Sequence, residues 1–336
     1  PAFLAEEWRQ VVLAQQVRSA QEYLAAKRTG RGRALGSRQR AQAWQAIWEF
    51  ETALRERGLW THETVCVEAA RLLSERADKP YRHVVVDEAQ DLSPEKWRLL
   101  RAAVPEGPDD LFFAADTHQR IYQHRVSLRD VGVDITGRST RLRINYRTTA
   151  EILAWSLGLL RGERIDDRDG GLASISGCRS ELHGPAPTVQ GFANRETELR
   201  NVAETVRGWL ETGVAPEEIG VAARSRRTVE AVVAALEAES IPVRALAGGL
   251  PAEGSVSVGT MHRMKGLEFR CLAVTGVSEG QLPATSAVTP ETEDEAAHRA
   301  DLQRERCLLF VACTRARERL HVSWSREPSP FLAALS

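Results

Sequence analysis

The stretch that most constrains the fold is His83 to Asp91, His-Val-Val-Val-Asp-Glu-Ala-Gln-Asp. Val84, Val85 and Val86 run directly into two adjacent acids, Asp87 and Glu88. A short, wholly apolar β-branched run of this kind predicts a strand buried on both faces, as in a parallel sheet. The acids then stand at the carboxyl end of that strand, where open α/β sheets form their ligand crevice. Two carboxylates there suit a metal–phosphate site: one to hold a magnesium ion, directly or through water, the other to orient and deprotonate an attacking water. By itself the run is equally compatible with a strand end carrying solvated acids.

The 336 residues suffice for two or three domains with cores of their own, and a composition 43% hydrophobic and 27% charged is that of a globular chain. No apolar run approaches the roughly 20 residues of a membrane span, and the N-terminus lacks a signal-peptide pattern. Cys66, Cys178, Cys271, Cys307 and Cys313 show neither Cys-x-x-Cys pairing nor clustering with histidine, which predicts free thiols in a reducing cytoplasm. With a net charge of −1, any nucleic-acid site must rest on a local basic patch. The first residue is not Met, from which a piece of a longer protein is expected.

Residues 1–80 read as helical, with apolar residues at helical spacing through Trp44, Ile47, Trp48 and Leu54. Lys27 to Arg40 interrupts them with six basic residues, three glycines and no acid, either a solvated loop or a contact to a nucleic-acid backbone. From Val84 the pattern alternates. Strands are predicted at 84–87, 111–115 and 141–144, and helices at 94–103 and 148–160. Residues 161–186 are polar and read as a linker or small insertion. Beyond them, strands are predicted at 187–192, 219–223, 242–245, 255–260, 270–275 and 319–323, with helices at 195–211, 226–238 and 297–316. Residues 284–297 read as an exposed loop. Two βα-rich halves joined by a polar segment predict an α/β protein with a cleft between two sheet domains.

Five stretches then fall into one order. Val86-Asp-Glu-Ala-Gln-Asp91 is followed by Ala115-Asp-Thr-His-Gln-Arg-Ile-Tyr122 and Leu142-Arg-Ile-Asn-Tyr-Arg-Thr-Thr149. Val258-Gly-Thr-Met-His-Arg-Met-Lys-Gly-Leu-Glu-Phe269 and Val311-Ala-Cys-Thr-Arg-Ala-Arg317 complete the series. In order and spacing the series resembles the motor core of UvrD/Rep-type superfamily 1 DNA helicases, over about residues 83–325. The resemblance implies two RecA-like parallel-sheet domains: a helical, 1B-like insertion at 1–80, the second half of the first RecA-like domain at 81–160, and the second at 187–336.

It also implies ATP and Mg²⁺ as ligands and roles for named residues. Asp87 would serve Mg²⁺, and Glu88 would act on the attacking water. Gln119 would sense the γ-phosphate, and Arg147 and Arg315 would be cationic fingers on it, one from each sheet domain. Tyr146 would stack on adenine, and Gly266 and Glu268 would belong to the nucleotide site, with Glu268 accepting from the ribose hydroxyl. Tyr122, His124, Arg125, Thr260 and His262 would contact single-stranded DNA, or DNA with a 3′ tail, by stacking and backbone contacts.

Four departures qualify this. His124 stands where the family has tryptophan, and Ala115 where it has glycine. The interval from Arg147 to Thr260 is short, so the family's large helical insertion is missing or reduced to about 161–186. No Gly-x-x-x-x-Gly-Lys-Ser/Thr occurs, so the loop that cradles the β- and γ-phosphates is absent from these residues. The expectation is an ATP-dependent 3′→5′ helicase whose phosphate loop lies in an upstream segment, this chain alone being a poor ATPase. A non-catalytic module binding nucleic acid, or a protein such as RNA polymerase, is the alternative.

Overall fold

A computed structural model describes residues 2–28, 35–116, 128–163, 177–246 and 253–335. The helical region opens with α1 (Ala2–Glu7), which runs on as a π-helical turn, Trp8–Leu13, and then α2 (Ala20–Ala25), α3 (Ser37–Glu56) and α4 (His62–Glu75). Ser19 caps α2 by accepting from the Glu22 amide, and Thr61 caps α4 through the Thr64 amide, satisfying donors that a helix start leaves unpaired. Trp8, Val11, Val12, Tyr23 and Ile47 form the core of this region. The spacing that placed Ile47 on a buried face fits; Trp48, on the same reading, remains 47% exposed.

The valine run forms β1 (Val84–Val86), which pairs in parallel with β2 (Leu111–Phe113); α5 (Pro94–Ala102) lies between them in sequence. One face of this ribbon, Val86, Leu111 and Phe113, packs on Trp97 of α5 and on Leu128, Val131 and Val133. The other face is open. Val85 and its cross-strand partner Phe112 are 76% and 67% exposed. Burial on both faces, expected from the apolar run, is therefore not found, because among the described residues no layer covers that side.

The second unit meets the expectation that the first does not. Its sheet comprises β5 (Thr188–Phe192), β6 (Ile219–Ala223), β7 (Val243–Ala245), β8 (Val256–Thr260), β9 (Phe269–Thr275) and β10 (Ala316–Ser325). The spatial order is β5-β10-β9-β6-β8-β7, every neighbouring pair parallel. Helices α7 (Arg195–Glu211) and α8 (Arg226–Ala238) cover one face, whose core holds Val206, Val221, Val232, Val258 and Ala273. On the opposite face, α6 (Ala150–Gly158) and α10 (Glu295–Cys313) pack on Ala222, Leu272, Val274 and Val322. The strict alternation along β9, with Leu272 and Val274 facing one core and Cys271 and Ala273 the other, follows from the period of two of a strand. Gly220 in β6 answers a close approach: a Cβ there would lie 2.8 Å from Phe269 and Leu272.

Residues 148–160 pack with the second sheet rather than with the first. Ile152, Leu159 and Leu160 enter its core, the Thr149 amide donates to the Arg317 carbonyl at 3.1 Å, and the Ala150 amide donates to the Leu182 carbonyl at 2.7 Å. The strand expected at 141–144 is a short β3 (Ile144–Asn145), paired in parallel with β4 (Arg179–Ser180) from the segment read as a linker. Arg147 consequently stands on the second unit, so the two arginine fingers do not come one from each sheet domain.

Candidate active site

The first unit's contribution is the turn after β1. Glu88 adopts a left-handed backbone conformation, φ 52° and ψ 36°, which costs a non-glycine residue roughly 1–2 kcal/mol and persists only where the surroundings impose it. They do so through hydrogen bonds to the end of β2. The Ala114 amide donates to Val86 and the Ala89 amide to Ala114, both at 2.9 Å. The Asp87 side chain accepts from the Glu88 amide at 2.8 Å. Gln90, 1% exposed, fixes the acid itself: its amide nitrogen donates to Glu88 Oε2, while its Oε1 accepts from the Asp116 amide at 3.0 Å. Gln90 was not singled out from the sequence, although it lies inside the acidic motif. The pairing that reveals its role joins positions 26 residues apart.

The second unit supplies the cations. Asn145 Oδ1 accepts from the amides of Arg147 (2.7 Å) and Thr148 (3.1 Å), bending the chain so that Arg147 projects from the end of β3. Arg147 Nε lies 2.6 Å from Glu268 Oε1. Glu268, expected to accept from a ribose hydroxyl, is thus engaged with an arginine here. Arg315 follows α10 and is 3% exposed, its Nε donating to the Val311 carbonyl at 3.2 Å. Burial, and then the neighbouring Arg147 charge, push its pKa below the ordinary value, while Glu268, Glu88 and Asp116 oppose the shift. Those opposing charges place Arg315 among acids of both units. The structure therefore brings Glu88, Arg147, Glu268 and Arg315 to one cleft. Tyr146 stands beside them 71% exposed, its ring open to solvent.

The remaining second-unit residues sit on α9 (Met261–Met264), a turn that the sequence reading did not resolve as a helix. Met261 and Met264, both fully buried, anchor one side in the core; of their neighbours Arg263 is exposed, while His262 and Lys265 are half-buried. Thr260 is the N-cap residue of this turn. Burial, and then the Arg224 charge, lower the His262 pKa, so the ring is neutral near pH 7; Glu305 acts in the opposite sense. Arg224 and Glu305 form a two-pronged ion pair beside it, with both contacts 2.7 Å. Gly266, with φ +80°, makes the bend that separates Lys265 from Glu268. Gln119, Tyr122, His124 and Arg125 lie outside the described residues, as do residues 29–34 of the basic loop at 27–40.

Lys265 is a site residue that the sequence reading missed. Its Nζ lies 2.5 Å from Asp91 Oδ2 and 3.6 Å from Glu88 Oε2, so it reaches from the second unit to the β1 turn. The pattern Lys-Gly-Leu-Glu marks the loop as special but does not say which partner the ammonium finds.

Among the described residues no group of three or more His, Cys, Asp or Glu side chains is arranged to hold a metal ion. A magnesium site built from one or two carboxylates, phosphate oxygens and water requires no such group. Asp87, an exposed oxygen donor at the strand end, fits that role. No helix among the described residues is long and apolar enough to cross a membrane.

Comparison with known families matches the UvrD/REP helicase N-terminal domain over residues 6–131 and the UvrD-like helicase C-terminal domain over residues 246–327. Among individual proteins, the chain is 23% identical over 407 residues to the ATP-dependent DNA helicase UvrD2 of Mycobacterium tuberculosis, covering 87% of this chain and 57% of that protein. It is 27% identical over 311 residues to DNA helicase IV of Escherichia coli, covering 88% of this chain and 40% of that protein. A shorter stretch of 72 residues is 44% identical to the putative ATP-dependent DNA helicase YjcD of Bacillus subtilis, covering 21% of this chain and 9% of that protein. The chain thus spans about half the length of the curated relatives that it matches most fully.

Proposed function

Since the chain belongs to the UvrD/Rep-like superfamily 1 helicases, we propose that it forms the nucleotide-hydrolysing and strand-gripping part of an ATP-dependent DNA helicase moving 3′→5′ on single-stranded DNA. The observation that carries this reading is the cleft itself. Glu88 of the β1 turn acts electrostatically on the buried Arg315 of the second unit, beside which Arg147 pairs with Glu268. Phosphoryl transfer asks a protein mainly for positioning and charge neutralisation, and this arrangement offers both. Asp87 would hold a magnesium ion, which supplies charge neutralisation at the phosphates when bound. Glu88, fixed by Gln90, would take the proton from the water that attacks the γ-phosphorus. Arg147 and Arg315 would neutralise charge on the transferring group, and Tyr146 would offer its open ring to the adenine.

Because the cations and the acids come from different units, a triphosphate between them would favour the closed arrangement, and hydrolysis would remove that preference. Thr260 and His262, half-buried beside the methionines, would contact the strand. A neutral His262 ring suits stacking on a base, worth about 1–3 kcal/mol. Loss of grip on one unit and gain on the other would then convert closure into a step along DNA.

The test is ATP hydrolysis with and without single-stranded DNA, on this chain and on a polypeptide extended at the N-terminus by a phosphate-loop segment. The chain itself is expected to stay at the background of its Glu88→Gln variant. The extended polypeptide should show DNA-stimulated hydrolysis that falls by about 10³-fold in Arg315→Ala, as for arginine fingers elsewhere. Full activity in the Arg315→Ala and Glu88→Gln variants would overturn the assignment. Silence of the extended wild type, with DNA binding retained, would favour a non-catalytic module.

A further inference from the structure

The contact made by Lys265 is explained neither by the second unit's core nor by the hydrolytic roles given above. Lys265 is the last residue before the glycine bend, and the two methionines that precede it are fully buried, so its backbone is held by the second unit. Its side chain is only 10% exposed, and the ammonium emerges at the opposite wall, against Asp91 and Glu88. Through these two ion pairs Lys265 joins the second unit to the β1 turn. Asp91 is 23% exposed at its side chain, so the pair is partly withdrawn from solvent and less screened than a surface pair. Glu88 Oε2, which this ammonium approaches, is the atom that also accepts from Gln90.

We propose that Lys265 is a positioning residue: its ion pair with Asp91 fastens the second unit to the β1 turn across the cleft in the nucleotide-free molecule, and so presets the separation of Glu88 from Arg147 and Arg315. Lys265 acts through Asp91 and the turn that carries Glu88. The purpose of the contact rests on the nucleotide-cleft reading, but the contact is measurable with no nucleotide present.

The experiment is amide hydrogen exchange of the intact chain without nucleotide, followed over residues 86–93 and 261–269. Removing a coupled charge pair of this kind, worth about a tenfold change in a local opening equilibrium, should speed exchange of both segments together in Lys265→Met. Lys265→Arg should keep most of the protection. The charge-swapped pair, Lys265→Asp with Asp91→Lys, should recover protection lost in either single variant, which a merely structural lysine would not allow. Unchanged exchange in Lys265→Met, or a swapped pair no better protected than its weaker parent, overturns the proposal. Failure of the nucleotide reading would appear elsewhere, as unchanged hydrolysis by the extended polypeptide in Arg315→Ala.

Discussion

The two parallel-strand regions of this chain face opposite physical situations. In the six-stranded sheet, Ile219, Val221, Leu272 and Val274 are all fully buried, with helices on both faces. In the β1–β2 ribbon the strand residues are of similar character, yet one face carries Val85 and Phe112 in the open. A parallel sheet gains its stability from apolar area removed from water on two sides, at about 25 cal/mol per Å². The second unit has both sides. The ribbon has one, and its acidic turn is secured by Gln90 and Lys265 instead of by a surrounding layer. The comparison separates a scaffold, held by its core, from a site, held by polar contacts that reach across the cleft.

The largest effect that tests this contrast is a truncation in the covered sheet. Leu272→Ala empties space between β9 and the α6–α10 layer and should destabilise the second unit by about 2–5 kcal/mol, read by denaturant unfolding. A loss below about 1 kcal/mol would mean that the core relaxes around the gap and that the contrast is weaker than drawn.

A smaller, pH-graded effect should come from His321 in β10. Burial pushes its pKa down from 6.5 to about 4, against a weaker opposing influence of Glu198. Glu198, itself buried, accepts from Thr275 Oγ1 (2.7 Å), the Gly276 amide (2.8 Å) and Ser323 Oγ (2.9 Å). The unfolded chain binds a proton near pH 6.5, whereas the folded chain resists it until about pH 4, so stability is full above 6.5 and falls as the pH drops between these values. His321→Gln should flatten that part of the stability profile, as measured by melting temperature against pH. A slope identical to wild type would assign the acid sensitivity to other groups.

The smallest effect belongs to the ribbon's open face. Val85→Thr keeps the β-branched shape and should alter stability by no more than about 0.5 kcal/mol in this chain. A loss comparable to that of Leu272→Ala would show that the face is covered in solution.

Much of the second unit was legible in the sequence. Residues 195–211 and 226–238 form the helices that their apolar spacing predicts, and 219–223 forms the predicted strand. Local periodicity suffices there because the apolar positions coincide with the layer that buries them. It failed where burial depends on distant chain. Val84–Val86 reads like a central strand, but its neighbours decide whether both faces are covered. Residues 148–160 were assigned to the first domain by their place in the order of motifs, whereas Ile152 and Leu159 pack against the second. Strand β4 was hidden because two residues paired with two others leave no periodic signal.

The site divides along the same line. The amino-acid order alone established which chemical groups are available: the acids Asp87 and Glu88, the arginines 147 and 315, Tyr146, Glu268, and the Thr260–His262 pair. Residue type and short spacing carry that information because carboxylates, guanidinium groups and aromatic rings keep their chemistry wherever they are placed. Only the tertiary structure decided that both arginines stand on one unit, that Glu268 holds Arg147, that Gln90 fixes Glu88, and that Lys265 crosses to Asp91. These are contacts between groups up to 174 residues apart, and their partners are chosen by packing of the two units, which no local pattern encodes.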